Sequence, residues 1–266
     1  MIALDRHWLI GAVFMLIVYG CASTAENRIL SADEQYAQAL DLYEREKYIE
    51  AVSVLQAFSF NYPQDPRVED ARWLTAEAYY GTDDWATAAQ EYLGFQRDFP
   101  RSEQAPAALY QAGRSYERLS LRPELDQRDT ERAINMYERL TTEYPASDFD
   151  EEAREKRRRL RNKLAEKTYL NAEFYFDNKR YEAAEIYLVD LIEKYPDSDW
   201  LAASYSLLAE TFCKQGLRDR ASELYTLLFD TFPDSDAASE IDDRLPSGCR
   251  VVELPAAQLE SETNGR

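Results

Sequence analysis

The chain has 266 residues, 45% of them hydrophobic and 30% charged, enough apolar material to bury a core in one or two domains. Fifty acidic residues stand against 31 basic ones, and the formal net charge of −19 argues against a nucleic-acid backbone as the main partner, because neutralising phosphates takes clustered Lys and Arg. Eight Gly and ten Pro over the whole length leave little material for β-turns, so the composition predicts an all-α protein whose default partner is a protein or peptide.

At the start of the chain, Arg6 and His7 precede an apolar run from Trp8 to Tyr19. A run this short cannot cross roughly 30 Å of hydrocarbon as a helix. Residues 1–20 therefore read as a secretory signal peptide, not a membrane anchor. The run ends Val18-Tyr19-Gly20-Cys21, which resembles a bacterial lipobox, with an aliphatic residue three positions before the cysteine and a small one directly before it. That resemblance implies Cys21 as the first mature residue, acylated with chains such as palmitate, and a lipidated linker over 21–30. Ala22 in place of Asp implies, by the lipoprotein sorting rule, the outer rather than the inner membrane. Tyr19 and Asp5 depart from the usual pattern, and ordinary cleavage or an uncleaved segment is the alternative.

Five aromatic-Pro pairs punctuate the remainder of the chain: Tyr62-Pro63, Phe99-Pro100, Tyr144-Pro145, Tyr195-Pro196 and Phe232-Pro233. Twelve residues before each Pro stands an alanine: Ala51, Ala88, Ala133, Ala184 or Ala221. Large residues come after each alanine at offsets of four and seven, which puts all three on one helical face. Asp65, Ser102, Ser147, Ser198 and Ser235 lie two residues after the prolines and predict N-caps for the next helix. A second alanine lies twelve residues before the first in four repeats, at Ala39, Ala76, Ala172 and Ala209. In the third, Ala112 lies 21 residues before Ala133, so Leu121 to Asp129 enlarge the turn. Paired small residues of this kind are the tetratricopeptide (TPR) pattern, in which two antiparallel helices approach closely. The fold class predicted is an all-α right-handed solenoid of five TPR helix-turn-helix repeats. A coiled coil is excluded, because no heptad continues past the prolines. Repeats one to three occupy 31–146.

An extended helix from Asp148 to about Asn178 leads into repeats four and five, which together occupy 147–246, before a tail over 247–266. Six of the eight residues from Lys156 to Lys163 are basic. Glu152 with Lys156 and Glu155 with Arg159 are spaced as i,i+4 ion pairs. Lys156, Arg157, Arg158 and Arg161 are thus either a solvated helix face or a contact for an acidic partner surface.

The sole histidine, His7, lies inside the predicted signal peptide, so imidazole chemistry is not expected of the mature protein. Two further cysteines do not make a zinc site, and neither a phosphate-cradling Gly loop nor a Gly-x-Ser-x-Gly elbow is present. No enzyme activity, metal or cofactor is expected. Cys213 and Cys249 are 36 residues apart; a bridge between them would be worth on the order of 4 kcal/mol by loop closure. The alternative is a buried thiol at Cys213 and a mobile one in the tail.

Solenoids bind with the inner surface made by the first helix of each repeat. Inward positions seven apart are Tyr36 and Tyr43, Trp73 and Tyr80, Leu109 and Tyr116, Tyr169 and Phe176, and Ser206 and Cys213, with Glu77, Glu173 and Glu210 between them. An aromatic floor with acids suits an extended apolar or aromatic peptide. Tyr36, Tyr43, Trp73, Tyr80 and Tyr116 are the binding candidates; the alternative is that these rings pack between adjacent repeats. The inward set lacks the Lys and Arg with which chaperone-type TPR clamps grip a terminal carboxylate, so that mode is not expected.

The lipobox cysteine, the five aromatic-Pro repeats, the third turn reading Asp126-Gln127-Arg128-Asp129-Thr130-Glu131-Arg132-Ala133-Ile134, and the stretch Arg158-Arg159-Leu160-Arg161-Asn162-Lys163-Leu164-Ala165-Glu166-Lys167 together resemble the BamD (YfiO) family of outer-membrane assembly lipoproteins. The similarity covers roughly 21–240 and leaves the acidic tail unmatched. It implies a non-catalytic subunit of the β-barrel assembly (BAM) complex, lipid-anchored in the outer membrane and facing the periplasm. Its C-terminal repeats would dock the POTRA domains of BamA, beside other BAM subunits, and its N-terminal repeats would engage unfolded outer-membrane β-barrel proteins. A TPR lipoprotein adaptor of another envelope complex, Tol-associated or peptidoglycan-coordinating, is the rival; those commonly carry an N-terminal coiled coil and lack the third-turn insertion. A repeat-carrying lytic enzyme would require an essential Glu in a cleft.

Overall fold

The computed structural model describes residues 30–250. Among these residues, eleven α-helices succeed one another without a strand. The first three pairs are α1 (Ala32–Glu44) with α2 (Tyr48–Asn61), α3 (Val68–Gly81) with α4 (Trp85–Asp98), and α5 (Ala105–Leu119) with α6 (Arg128–Glu143). The long α7 (Asp150–Asp177) pairs with α8 (Tyr181–Lys194), and α9 (Leu201–Gln215) with α10 (Arg218–Thr231). A short α11 (Asp236–Arg244) and a 3-10 turn at Ser247–Cys249 close the series. From α1 to α10 each helix packs mainly on its neighbours in the chain, which is the contact pattern of a solenoid, while α11 folds back chiefly on α9. The architecture is a right-handed stack of five TPR helix pairs.

Small side chains set the helix spacing. All ten recurring alanines, from Ala39 to Ala221, are fully buried, and so are Leu55, Phe58, Tyr92, Phe95, Tyr137, Leu140, Leu188, Leu191 and Leu228 at the large positions. Each such large side chain contributes about 1.5–3 kcal/mol on burial. Tyr225 is only half-buried, because it stands near the end of the stack and its hydroxyl reaches Asp242 at 2.9 Å.

Four of the five predicted N-caps are corrected. Asp65, Ser102, Ser147 and Ser198 do not cap; α3, α5, α7 and α9 begin three residues later, behind Arg67, Gln104, Phe149 and Trp200. The aromatic-Pro pair closes a turn first: the N–H groups of Asp65, Ser102, Ser147 and Ser198 donate to the carbonyls of Tyr62, Phe99, Tyr144 and Tyr195 at 3.0–3.1 Å. Proline at the second position of such a turn has its φ already set. A second turn comes next, in which the carbonyls of the same four residues accept from Val68, Ala105, Asp150 and Leu201 at 3.0–3.2 Å. Only Ser235 caps as expected, its hydroxyl accepting from the N–H of Ala238. Ser31 heads α1 with a capping box, exchanging bonds with Glu34.

The turns inside four repeats share a left-handed residue five positions before the second-helix alanine: Glu46, Asp83, Lys179 and Gly216, with φ from 57° to 81°. Glycine takes this conformation freely, whereas the other three carry the steric penalty of a Cβ. In the third repeat a loop over 120–127 replaces that turn, a little earlier than the expected Leu121 to Asp129, since α6 already begins at Arg128. Gln127 is buried and organises the loop: its amide donates to the carbonyls of Arg122 (2.7 Å) and Leu125 (3.2 Å), and its oxygen accepts from Thr130 Oγ1 (2.7 Å).

The apolar interior falls into three clusters: one running from Ala39 to Ala71, one running from Ala76 to Leu160, and one running from Ala165 to Cys249. Helix α7 supplies Ala153 and Leu160 to the second cluster, and Ala165, Tyr169 and Ala172 to the third. A single rod thereby fixes one half of the stack against the other.

Candidate functional site

The inward aromatics hold their own repeats together. Tyr36 packs on Phe58 (ring centroids 5.2 Å apart), Tyr43 on Tyr48 (5.4 Å), Trp73 on Tyr92 and Phe95 (5.5 and 5.4 Å), and Tyr80 on Trp85 (4.8 Å). In each case the partner ring belongs to the second helix of the same repeat, not to an adjacent repeat as the packing alternative supposed. These four remain half-buried, so part of each is accessible to solvent. Tyr116 is only 5% exposed; Gln90 Nε2 donates to its hydroxyl at 2.7 Å and Arg132 covers its ring. Farther along, Tyr169 packs on Trp200 of the next repeat, Ser206 is buried, and Cys213 is bonded to Cys249. Burial, with Glu77 nearby, pushes the Tyr43 hydroxyl up to about 12.

The three inward acids differ. Glu77 accepts the hydroxyl of Tyr92 at 2.6 Å, and Glu173 is exposed. Glu210 has a side chain only 11% exposed, with Arg244 3.9 Å away and its Oε1 lacking any hydrogen bond among the described residues. Burial raises its carboxyl above the ordinary carboxylate range, against the opposing pull of Arg244 and Lys214. A carboxyl with a raised folded pKa binds its proton more tightly folded than unfolded, so its contribution to stability is present at low pH and is lost as pH rises through that folded value. Glu210→Gln is expected to raise the unfolding midpoint near about pH 7 and leave it unchanged near about pH 4. Equal destabilisation at both pH values in thermal melts would sink this reading.

The basic stretch is spent largely inside the molecule. The expected i,i+4 pairs do not form: Glu152 accepts the hydroxyl of Tyr110 instead, and Glu155 takes Arg158 at 3.1 Å. Lys156, its side chain 14% exposed, reaches Glu117 of α5 at 3.2 Å. Arg161 donates to the Lys194 carbonyl (2.8 Å) and to Asp197 (3.1 Å), and stacks over Tyr195. Arg158 is half-exposed beside Asp199, and Arg157 has no hydrogen-bond or ion-pair partner among the described residues. These bonds bolt α7 to α5 and to the turn before α9.

Glu117 forms a junction that sequence spacing did not reveal. It accepts from the Tyr137 hydroxyl at 2.7 Å and pairs with Lys156 and with Arg159, the latter at 3.5 Å. Around it, Arg114, Arg118 and Lys156 line a cavity of about 300 Å³. The only sequence signal for this cavity is Arg114 and Arg118 one helical turn apart on α5, facing the basic stretch of α7.

Cys213 and Cys249 form a disulfide with an S–S distance of 2.02 Å, which ties the 3-10 turn to α9. The lipidation candidate Cys21 lies outside the described residues. The amino-acid pattern matches the family model described as YfiO, outer membrane lipoprotein, over residues 29–227. The chain belongs to the YfiO family. Among curated relatives, the outer membrane protein assembly factor BamD of Vibrio cholerae is 25% identical over 222 residues, spanning 79% of this chain and 92% of that protein. BamD of Haemophilus influenzae is 22% identical and spans 80% and 85%. A solved thermophilic TPR protein from Thermus thermophilus overlays 80% of the YfiO-family chain and 98% of its own at a TM-score of 0.33, with 15% identity. The match over 29–227 takes in all five aromatic-Pro alanines, the Gln127 loop and α7, and stops before the α11 cap.

Proposed function

We propose that this protein is a non-catalytic lipoprotein subunit of the BAM complex, held at the outer membrane through Cys21 and facing the periplasm. The observation that carries this reading is the family match over 29–227, with relatives named as outer membrane protein assembly factors. The N-terminal unit, 31–146, engages unfolded outer-membrane β-barrel proteins along the half-buried edges of Tyr36, Tyr43, Trp73 and Tyr80, with Tyr116 beneath. The C-terminal unit, 147–246, docks the POTRA domains of BamA. Of the basic residues, Arg157 and the half-exposed Arg158 remain the groups with reach toward a partner, while Lys156 and Arg161 serve chiefly to fix α7.

No bond-making is needed for such a role. A lipid tether raises the local concentration of the scaffold, and a stack whose two halves are fixed by α7 presents its groove at little ordering cost on binding. Purification in mild detergent is expected to recover the BamA subunit with this chain. Because the groove aromatics pack on Tyr48, Trp85 and other second-helix rings, replacing them with alanine would damage the fold. A photo-crosslinking side chain in place of Tyr43 or Tyr80 is the cleaner probe, and is expected to capture unfolded barrel proteins. The same group in place of the exposed Phe60 on α2 is expected to capture none. Equal capture from both faces would remove the groove from the proposal.

A further inference from the structure

The cavity around Glu117 runs against the charge of the rest of the chain. In a protein of net charge −19, Lys156 and Arg159 pair with the single carboxylate of Glu117, and Arg114 and Arg118 line the cavity beside it. That carboxylate is already taken up by Lys156, Arg159 and the Tyr137 hydroxyl. Arg114 and Arg118 have no carboxylate within ion-pair distance among the described residues. Arg114 lies over the rings of Tyr80 (5.5 Å) and Tyr110 (6.0 Å) and donates only to the Gln111 amide oxygen, at 3.1 Å. Arg118 lies over Trp85, 5.4 Å from its centroid. Cation–π contact of this kind occupies no N–H donor, so most of the guanidinium N–H groups of Arg114 and Arg118 are left to donate elsewhere. Beside them the Tyr80 hydroxyl is buried without a hydrogen-bond partner among the described residues.

We infer that this cavity is a binding site for a carboxylate side chain of an extended, aromatic-containing peptide, received by Arg114 and Arg118, which are themselves backed by the rings of Tyr80 and Trp85. The basic groups come from α5 and α7, outside the inward aromatic positions, which carry no Lys or Arg. Guanidinium edges match a planar carboxylate in a two-point fork. A phosphate fits less well. The site lies over the last turns of α5, where the helix dipole presents partial negative charge and opposes a dianion more than a monoanion. An anionic lipid surface is disfavoured further by repulsion from the acidic remainder of the chain.

The inference rests on the reading of the first-helix face as a binding groove, and the test separates the two. The full mature chain is titrated with a short fluorescent peptide of alternating Tyr and Thr with a central Glu pair, acetylated and amidated so that no terminal carboxylate is present. The Glu peptide is expected to bind about tenfold more tightly than its Gln twin. Arg118→Gln alone, and Arg114→Gln with Arg118→Gln, are expected to bring the Glu peptide down to the Gln level while leaving the Gln peptide unchanged and the helical circular dichroism intact. Arg118 is exposed, so the single variant keeps the test valid if the double one unfolds. Equal binding of the two peptides overturns the carboxylate site but leaves the groove standing; failure of both peptides to bind overturns both readings. Displacement of the Glu peptide by inorganic phosphate at lower concentration than by acetate overturns the assignment to a carboxylate. Retention on phosphatidylglycerol vesicles that disappears in the arginine variants overturns the peptide as partner.

Discussion

Gly113→Ala is expected to destabilise the central repeats by about 2–3 kcal/mol, as an overpacked core does. A Cβ at this position would stand 2.6 Å from Cε1 of Tyr137 and 2.9 Å from its Cζ, closer than carbon atoms approach without displacement. The obstacle is the ring of a fully buried tyrosine, so it has nowhere to swing. Its hydroxyl is tied to Glu117, and Glu117 in turn holds Lys156 of α7. Moving the ring therefore strains the contact between α5 and α6 and loosens the start of the long helix as well. Gly81 provides the control. An added Cβ there meets Tyr48 at a similar 2.7 Å, but Tyr48 is half-buried and can rotate toward solvent. Urea unfolding of both variants tests the contrast, and a Gly113→Ala protein as stable as the wild type, or no less stable than Gly81→Ala, would show that the Tyr137 ring yields.

How much the sequence disclosed depends on how general each constraint is. Two helices that nearly touch admit only a small side chain, whatever surrounds them, so the alanine register was legible and every one of those alanines is buried. The prolines were legible as breaks for the same reason. Their sequel was not: a Ser or Asp two residues after Pro suits an N-cap and a second turn equally well, and only the backbone shows that the second turn wins at Asp65, Ser102, Ser147 and Ser198. Left-handed turns were hidden because only Gly216 advertises one, whereas Glu46, Asp83 and Lys179 do not. Ionic partners were the least legible. Lys156 has Glu152 within reach along its own helix, yet pairs with Glu117, 39 residues earlier, because the end of α5 comes within side-chain reach of α7 at that point. A choice of that kind depends on how helices stack, and the same stacking gathers Arg114 and Arg118 into a cavity that no spacing rule marks.

Breaking the bridge at the end of the stack is expected to produce the second large effect, and a local one. The disulfide closes a 36-residue separation, worth about 4 kcal/mol in the chain-entropy account. A terminal unit of a solenoid has a neighbour on one side only, so it depends on every tie it has. Here α11 buries Ala238, Ile241 and Leu245 against α9 and α10, and Arg250 adds bonds to the Leu245 carbonyl (2.6 Å) and to Asp242 (3.3 Å). Those contacts keep the unit folded after Cys249→Ser but no longer bar it from opening alone. Amides of α11 and of 247–250 are then expected to exchange roughly a hundredfold to a thousandfold faster, as about 3–4 kcal/mol requires. Amides of α1 to α4 are expected to keep their wild-type rates, since nearest-neighbour coupling does not carry the loss that far. Reductant added to the wild-type protein should reproduce the pattern. Uniform acceleration along the whole stack would mean that it unfolds as one cooperative body, and unchanged exchange at α11 would mean that apolar burial alone, without the sulfur bond, holds the cap in place.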